Sequence, residues 1–121
     1  MATPLELHLH QKTRLLDVLF DDGCHFSLAC EYLRVYSPSA EVRGHGAGEG
    51  KLQSGKRYVN IISIEPVGNY AVKLTFDDGH SSGIYTWDWL YELGANQETY
   101  WQQYLTRLTA AGASREPSAN P

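Results

Sequence analysis

Hydrophobic and polar residues alternate near the start of the chain. Leucines stand at every second position of residues 5–9, separated by polar side chains, and this period is typical of a strand with one buried face. Residues 15–20 form a second apolar run that reaches Asp-Asp-Gly at 21–23, a turn signal because glycine accepts a positive φ. Residues 25–28 predict a third strand, and residues 30–34 predict a short helix.

The second half of the chain begins with a β-branched run at 58–64, which favours a strand. A turn at 66–69 separates it from a strand at 70–76, and Asp-Asp-Gly at 77–79 predicts another turn. A short strand at 82–85 and a helix at 88–94 follow.

The last predicted element is a helix with Asn96 as its N-cap. It extends to about residue 111 and carries an apolar face made of Trp101, Tyr104, Leu105 and Leu108. Residues 112–121 contain no large apolar side chain, and we expect them to form a disordered C-terminal tail.

The two Asp-Asp-Gly turns belong to an internal repeat. Residues 16–23, Leu-Asp-Val-Leu-Phe-Asp-Asp-Gly, resemble residues 72–79, Val-Lys-Leu-Thr-Phe-Asp-Asp-Gly. Each copy is followed by a short predicted strand and an aromatic–leucine pair. We therefore predict an α+β fold, a compact β-rich domain of two related strand–turn–strand–short-helix units with a C-terminal helix, spanning residues 1–111 as a single domain.

Composition excludes several function classes. The 121 residues carry 10 basic and 14 acidic side chains, a net charge of −4, which argues against nucleic acid or a membrane as partner. No apolar run approaches the length of a membrane span, and the first residues lack a secretory signal pattern. We expect a cytoplasmic protein in which Cys24 and Cys30 are reduced.

A polar, glycine-rich segment follows the first predicted helix and is the candidate binding loop. This segment is basic although the whole chain is acidic, since residues 43–57 hold four basic side chains and one acidic side chain. Arginine can grip a carboxylate or phosphate, and glycines let a partner approach the backbone. A solvated surface loop is the alternative reading. The residues predicted to bind are Ser37, Ser39, Glu41, Arg43 and His45.

No catalytic set emerges from the spacing of reactive residues. Gly50 to Lys56 fits the phosphate-loop pattern, but Arg57 stands where that motif requires serine or threonine, and strand formers follow. No histidine is followed two positions later by a carboxylate, as a non-haem iron site would need. We predict no catalytic residues.

Several segments together resemble a known family. They are the Ser-Pro-Ser-Ala-Glu-Val-Arg-Gly-His-Gly run at 37–46, Gly-Asn-Tyr-Ala-Val at 68–72, and Phe-Asp-Asp-Gly-His at 76–80. Over about residues 4–108 the chain resembles the DUF971 group, the γ-butyrobetaine hydroxylase-like N-terminal domains. In carnitine-pathway oxygenases such a domain precedes the catalytic 2-oxoglutarate domain, and similar domains are attached to Mrp-type iron–sulfur carrier ATPases.

The resemblance also implies a zinc site, which this chain lacks the residues to build. The three family cysteines fall on Ser37, Ser39 and Val42, and the family histidine falls on His80. Hydroxyls and a valine offer no thiolate, so we expect no cofactor and no zinc. A non-standard metal site using His80 with His45 or Cys24 is the alternative.

The resulting prediction is a non-catalytic binding or adaptor module and not an enzyme, because the oxygenase domain of the hydroxylases is missing. The resemblance links it to iron–sulfur or metal-cofactor metabolism. We expect a protein partner of unknown identity, and a homo-oligomer is left open.

Overall fold

The computed structural model describes residues 2–39, 42 and 51–117. The first unit is an antiparallel sheet of β1 (Pro4–His10), β2 (Leu15–Phe20) and β3 (His25–Ala29), with β2 in the centre. Helix α1 (Cys30–Val35) follows β3 directly. In β2 every second residue is fully buried, as the alternation of apolar side chains requires.

The second unit repeats this order. Its sheet contains β4 (Ile61–Val67), β5 (Ala71–Phe76) and β6 (Ile84–Thr86), again antiparallel with the middle strand in the centre. Helix α2 (Trp87–Ala95) follows β6, and helix α3 (Gln97–Ala110) packs beside it. The predicted α+β architecture of two related β-rich units is therefore confirmed.

Strand β4, Ile61–Val67, begins and ends later than the strand predicted at residues 58–64. Pro66 was predicted in a turn, but it lies in β4 opposite Val72. Since β4 is an edge strand of its sheet, a residue without an N–H group is tolerated there. The turn follows instead at Gly68, whose φ is 56°.

The two Asp-Asp-Gly turns have the same backbone. Gly23 has a φ of 90° and Gly79 a φ of 91°, values in the left-handed region that favours glycine. The N–H of Phe20 donates to the carbonyl of Cys24 at 2.8 Å, and the N–H of Phe76 donates to the carbonyl of His80 at 2.9 Å. The sequence repeat is thus also a structural repeat.

Two hydrogen bonds join the units reciprocally. The Tyr32 hydroxyl on α1 donates to the carbonyl of Leu93 on α2 at 2.6 Å. The Trp89 indole on α2 donates to the carbonyl of Tyr36, just after α1, at 3.0 Å. Tyr32 corresponds to Trp89 in the repeat, and Tyr36 corresponds to Leu93. Each helix end is therefore closed by an aromatic donor from the other unit.

A single apolar core joins the two sheets and the helices. Its fully buried members come from both units: Leu16, Val18, Phe20, Leu28, Cys30, Leu33, Ile61, Leu74, Phe76, Tyr85, Leu90 and Leu93. Tyr104 and Leu108 of α3 are buried in a smaller cluster with Val35, which confirms the predicted apolar face of this helix. Within the described residues, no helix combines the length and apolarity needed to cross a membrane.

Two glycines occupy equivalent close contacts between the units. A Cβ on Gly94 of α2 would lie 2.4 Å from the ring of Phe26 on β3, and a Cβ on Gly83 would lie 2.4 Å from the Ser37 hydroxyl. Gly83 corresponds to Phe26 in the repeat, and Gly94 corresponds to Ser37. The second unit therefore contributes a glycine at both contacts, and the first unit contributes the side chain.

The hydrogen bond from Tyr32 can be removed without changing the packing of its ring. We expect Tyr32→Phe to lower the free energy of unfolding by about 1–2 kcal/mol, because the Leu93 carbonyl loses its buried donor. Tyr70→Phe is the matched control, since Tyr70 is 53% exposed, and we expect a change below about 0.5 kcal/mol. Urea denaturation measures both variants, and equal stabilities would contradict the role given to this bond.

Candidate functional site

The predicted binding residues Ser37 and Ser39 lie in a buried polar cluster beside the second Asp-Asp-Gly turn. The Ser37 hydroxyl contacts Nε2 of His80 at 2.8 Å and accepts the N–H of Ser39 at 3.2 Å. The Ser39 hydroxyl contacts that of Ser82 at 2.6 Å. Ser37 is only 1% exposed. The structure thus brings together Ser37, Ser39 and His80, three of the four positions where the family places its metal ligands.

The fourth position, Val42, is also buried, and its N–H donates to the Ser39 carbonyl at 3.0 Å. The four positions offer two hydroxyls, one imidazole and a hydrocarbon side chain. A structural zinc site needs four nitrogen, sulfur or carboxylate ligands. The donor set of this chain does not fit zinc, and His80 Nε2 is already engaged by Ser37.

The other predicted binding residues, Glu41, Arg43 and His45, lie outside the described residues. In the ranges that are described, no three histidine, cysteine, aspartate or glutamate side chains are grouped so that they could hold a metal ion. His10 and His25 both approach Asp17 on the outer face of the first sheet, at 2.9 and 3.9 Å.

Asp78 is the charged centre beside the polar cluster. Its Oδ2 accepts hydrogen bonds from Arg34 Nε and Lys56 Nζ, each at 2.9 Å, and its Oδ1 accepts the N–H of His80 at 3.1 Å. Partial burial opposes ionisation, but the bonds from Lys56, His80 and Arg34 outweigh it and lower the pKa of Asp78 to about 2.

Arg34 connects this centre to the segment that follows α1. Its side chain is buried, and NH1 donates to the side-chain oxygen of Gln53 at 3.2 Å. At the equivalent turn of the first unit, Asp22 Oδ2 accepts the hydroxyl of Tyr91 at 2.7 Å. Tyr91 corresponds to Arg34 in the repeat, so a neutral donor in one unit replaces a cation in the other.

Residues 51–57 run beside the C-terminal segment. The N–H of Gly55 donates to the Ser114 carbonyl at 2.9 Å, and the N–H of Arg57 donates to the Arg115 carbonyl at 3.1 Å. The tail predicted as disordered thus has specific contacts over residues 112–117, while residues 118–121 lie outside the described part of the chain. Composition alone does not reveal these contacts, since they join residues that are distant in the sequence.

An exposed tyrosine that contacts two arginines lies at the end of this segment. Tyr58 is 53% exposed, the Arg57 guanidinium lies over its ring at 5.6 Å, and Arg14 Nε donates to its carbonyl at 3.1 Å. Arg14 has a positive φ of 57°. Sequence reasoning missed Arg14, because only the turn after β1 brings it to Tyr58. We call these three residues the arginine–tyrosine surface.

The charge on Asp78 makes stability depend on acid. Because the pKa of Asp78 is about 2 in the folded chain against an ordinary value of 3.8, its contribution is present above about pH 4 and is lost as the pH falls towards 2. We expect Asp78→Asn to cost about 2 kcal/mol at pH 7, and much less at pH 2. Asn keeps the acceptor for the His80 N–H.

Asp22→Asn is the matched control for this measurement, since Asp22 forms the same turn without a cationic partner. Urea unfolding of both variants and the unmodified chain at pH 7, 4 and 2 measures the difference. A cost of Asp78→Asn that does not decline between pH 4 and 2 would contradict the assignment.

The comparisons with known proteins agree with this fold. The family model described as "Gamma-butyrobetaine hydroxylase-like, N-terminal" matches residues 7–91. A comparison with curated proteins gives no match.

Solved structures similar to the chain include two solution NMR structures. One is 54% identical, with a TM-score of 0.84, covering 100% of this chain and 90% of that one. The other is 45% identical, with a TM-score of 0.85, covering 99% and 94%. A crystal structure from Acidithiobacillus ferrooxidans, described as a DUF971 protein of unknown function, is 38% identical, with a TM-score of 0.66, covering 77% and 93%. The chain belongs to the γ-butyrobetaine hydroxylase-like N-terminal family, the DUF971 family.

Proposed function

We propose that this protein is a non-catalytic, cytoplasmic binding module that docks a partner protein through residues 37–58 and the adjoining Arg14. The observation that carries the proposal is the arginine–tyrosine surface. An exposed tyrosine that contacts two arginines is the composition typical of interface hot spots. The two arginines bring cations together on a chain with a net charge of −4, and one of them, Arg57, also pairs with Glu116.

The local charge favours an acidic partner surface. Lys51 and Arg57 are exposed at the two ends of residues 51–57, and Arg57 pairs with the exposed carboxylate of Glu116, whereas Lys56 and Arg34 are occupied by Asp78. Charge complementarity steers association and selects partners more than it adds affinity. The Tyr58 ring supplies the apolar contact area that such an interface needs.

The buried cluster supports a binding role over a catalytic one. Ser37 and His80 form a hydroxyl–imidazole pair that resembles a nucleophile and its base. Both side chains are buried, so a substrate has no access to them. Asp78 accepts a hydrogen bond from the main-chain N–H of His80, which fixes the turn and not the ring. We assign the pair to holding the base of the binding segment.

Family resemblance suggests where the partner is to be sought. Related domains are attached to iron–sulfur carrier ATPases, so a carrier of that kind is the first candidate. This step rests on analogy with the family, and the surface itself specifies only an acidic protein face.

Affinity capture with paired tyrosine variants tests the surface. We expect Tyr58→Ala to lose at least about 90% of the partner captured by the unmodified chain, since a central hot-spot ring contributes about 2 kcal/mol or more. Tyr70→Ala is the matched control, because both rings are 53% exposed. Quantitative mass spectrometry measures the captured proteins. Equal capture by the Tyr58 and Tyr70 variants would overturn the proposed surface.

The proposal includes a fold that forms without metal. We expect the purified chain to hold less than about 0.1 equivalent of zinc by elemental analysis, because its donor set has no thiolate. The triple variant Ser37→Cys, Ser39→Cys and Val42→Cys restores the ligand types of the family beside His80, and we expect it to bind about one equivalent. A metal-loaded unmodified chain would show the metal-free proposal to be wrong.

A further inference from the structure

A pocket lined by residues of α1, α2 and α3 contains a buried carboxylate that the proposed function does not use. Glu31 of α1 is 5% exposed. Its two oxygens accept hydrogen bonds from Nε and Nη2 of Arg115, at 2.8 and 2.7 Å. This is the two-pronged geometry in which a guanidinium matches a carboxylate.

The guanidinium of Arg115 is also held by an aromatic ring. It lies over Trp101 of α3 at 5.1 Å from the ring centre, a cation–π distance. Glu31 raises the pKa of Arg115 by hydrogen bonding, so the guanidinium is fully charged. A carboxylate pair and a ring face together recognise the planar arginine head group better than the compact ammonium of lysine.

The space around this contact is larger than one guanidinium. The pocket has a volume of about 590 Å³, in the range of ligand-binding clefts. Besides Glu31, Trp101 and Arg115, it is lined by residues of β3, α1, α2 and α3: Ala29, Tyr32, Gly94, Ala95, Gln97 and Glu98. Glu98 adds a second carboxylate to the lining, so the charge of the pocket favours a cationic ligand.

Arg115 reaches the pocket from a segment that lies beyond the last helix. Residues 111–117 pass α3 and run beside residues 55–57 through two backbone hydrogen bonds. If this segment moved away alone, the Glu31 carboxylate would lose both hydrogen bonds from Arg115, which costs free energy. Exchange of one guanidinium for another avoids this cost.

We propose that this pocket is an arginine-recognition site, that Arg115 is its internal occupant, and that an arginine side chain of a partner protein can replace it. The pocket adjoins the arginine–tyrosine surface through the C-terminal segment, since the Arg57 N–H donates to the Arg115 carbonyl and the Arg57 side chain pairs with Glu116. It requires a basic segment on the partner, whereas that surface requires an acidic one. The chain therefore carries two recognition sites of opposite charge preference. Displacement of Arg115 would also release the Ser114 and Arg115 carbonyls from residues 55–57.

A peptide titration tests the site on the full chain. The probe is the capped peptide Gly-Ala-Ser-Arg-Glu-Pro, the sequence of residues 112–117, and its control has neutral citrulline in place of arginine. The Arg115→Ala variant empties the pocket. We expect saturable NMR shifts of the Trp101 indole and Gly94 amide signals, with the arginine peptide bound at least about tenfold more tightly than the citrulline peptide.

The remaining arms separate exchange from nonspecific binding. We expect the unmodified chain to bind the arginine peptide at least about tenfold more weakly than Arg115→Ala does, because its own arginine competes. Adding Glu31→Gln to Arg115→Ala should abolish binding, since the carboxylate charge is lost. If Arg115→Ala fails to fold, the Arg115→Lys variant takes its place in the titration, because it keeps a cation beside Glu31.

Two results would overturn the proposal. One is a folded Arg115 variant that binds the arginine and citrulline peptides equally or binds neither. The other is an unmodified chain that forms a dimer by exchanging Arg115 segments, since the occupant would then be a second copy of this chain. Capture by the Tyr58→Ala variant is measured separately, so failure of the pocket and failure of the proposed docking surface are distinguishable.

Discussion

The fold depends on the exchange of aromatic donors between two short helices. The Tyr32 hydroxyl satisfies a carbonyl on α2, and the Trp89 indole satisfies a carbonyl after α1. Helix α1 has six residues, too few to be stable alone in water, and its last carbonyls need partners. Burial raises the pKa of Tyr32, which keeps its phenol a neutral donor. Each unit thus completes the helix of the other, and neither half of the chain is self-sufficient.

The same exchange positions the polar site. Arg34 on α1 reaches across to Asp78 in the second unit, while Tyr91 on α2 reaches back to Asp22 in the first. Among the described residues, the second turn is the one with cationic side-chain partners, and a buried hydroxyl–imidazole cluster lies beside it. The repeat therefore builds the same turn twice, and two cations, Arg34 and Lys56, make the second turn a charged centre.

Sequence patterns predicted the units of this fold better than their contacts. The repeated Asp-Asp-Gly motif encodes φ and turn geometry locally, so Gly23 and Gly79 were predictable. The prediction of a turn at Pro66 is wrong because a proline is tolerated in an edge strand. Which strand lies at the edge is a property of the whole sheet and not of the local sequence. The grouping of Ser37 and Ser39 with His80 was predicted from the family resemblance. The pairing of Glu31 with Arg115 joins residues that are distant in the sequence, and no local pattern predicts it. Asn96 precedes Gln97, the first residue of α3, as predicted, but its side chain forms no N-cap hydrogen bond. Its amide donates instead to the Glu92 carbonyl at 2.9 Å.

The glycine contacts between the units make their pairing directional. Phe26 fills the space over Gly94, and Ser37 fills the space over Gly83. Two first units placed together would set Phe26 against Ser37 with no room for the ring, and two second units would set Gly83 against Gly94 across a void. Such a void forfeits packing energy, and such an overlap strains the core. The protein has the outline of a symmetric dimer in one chain, but its halves are complementary in shape and cannot replace one another.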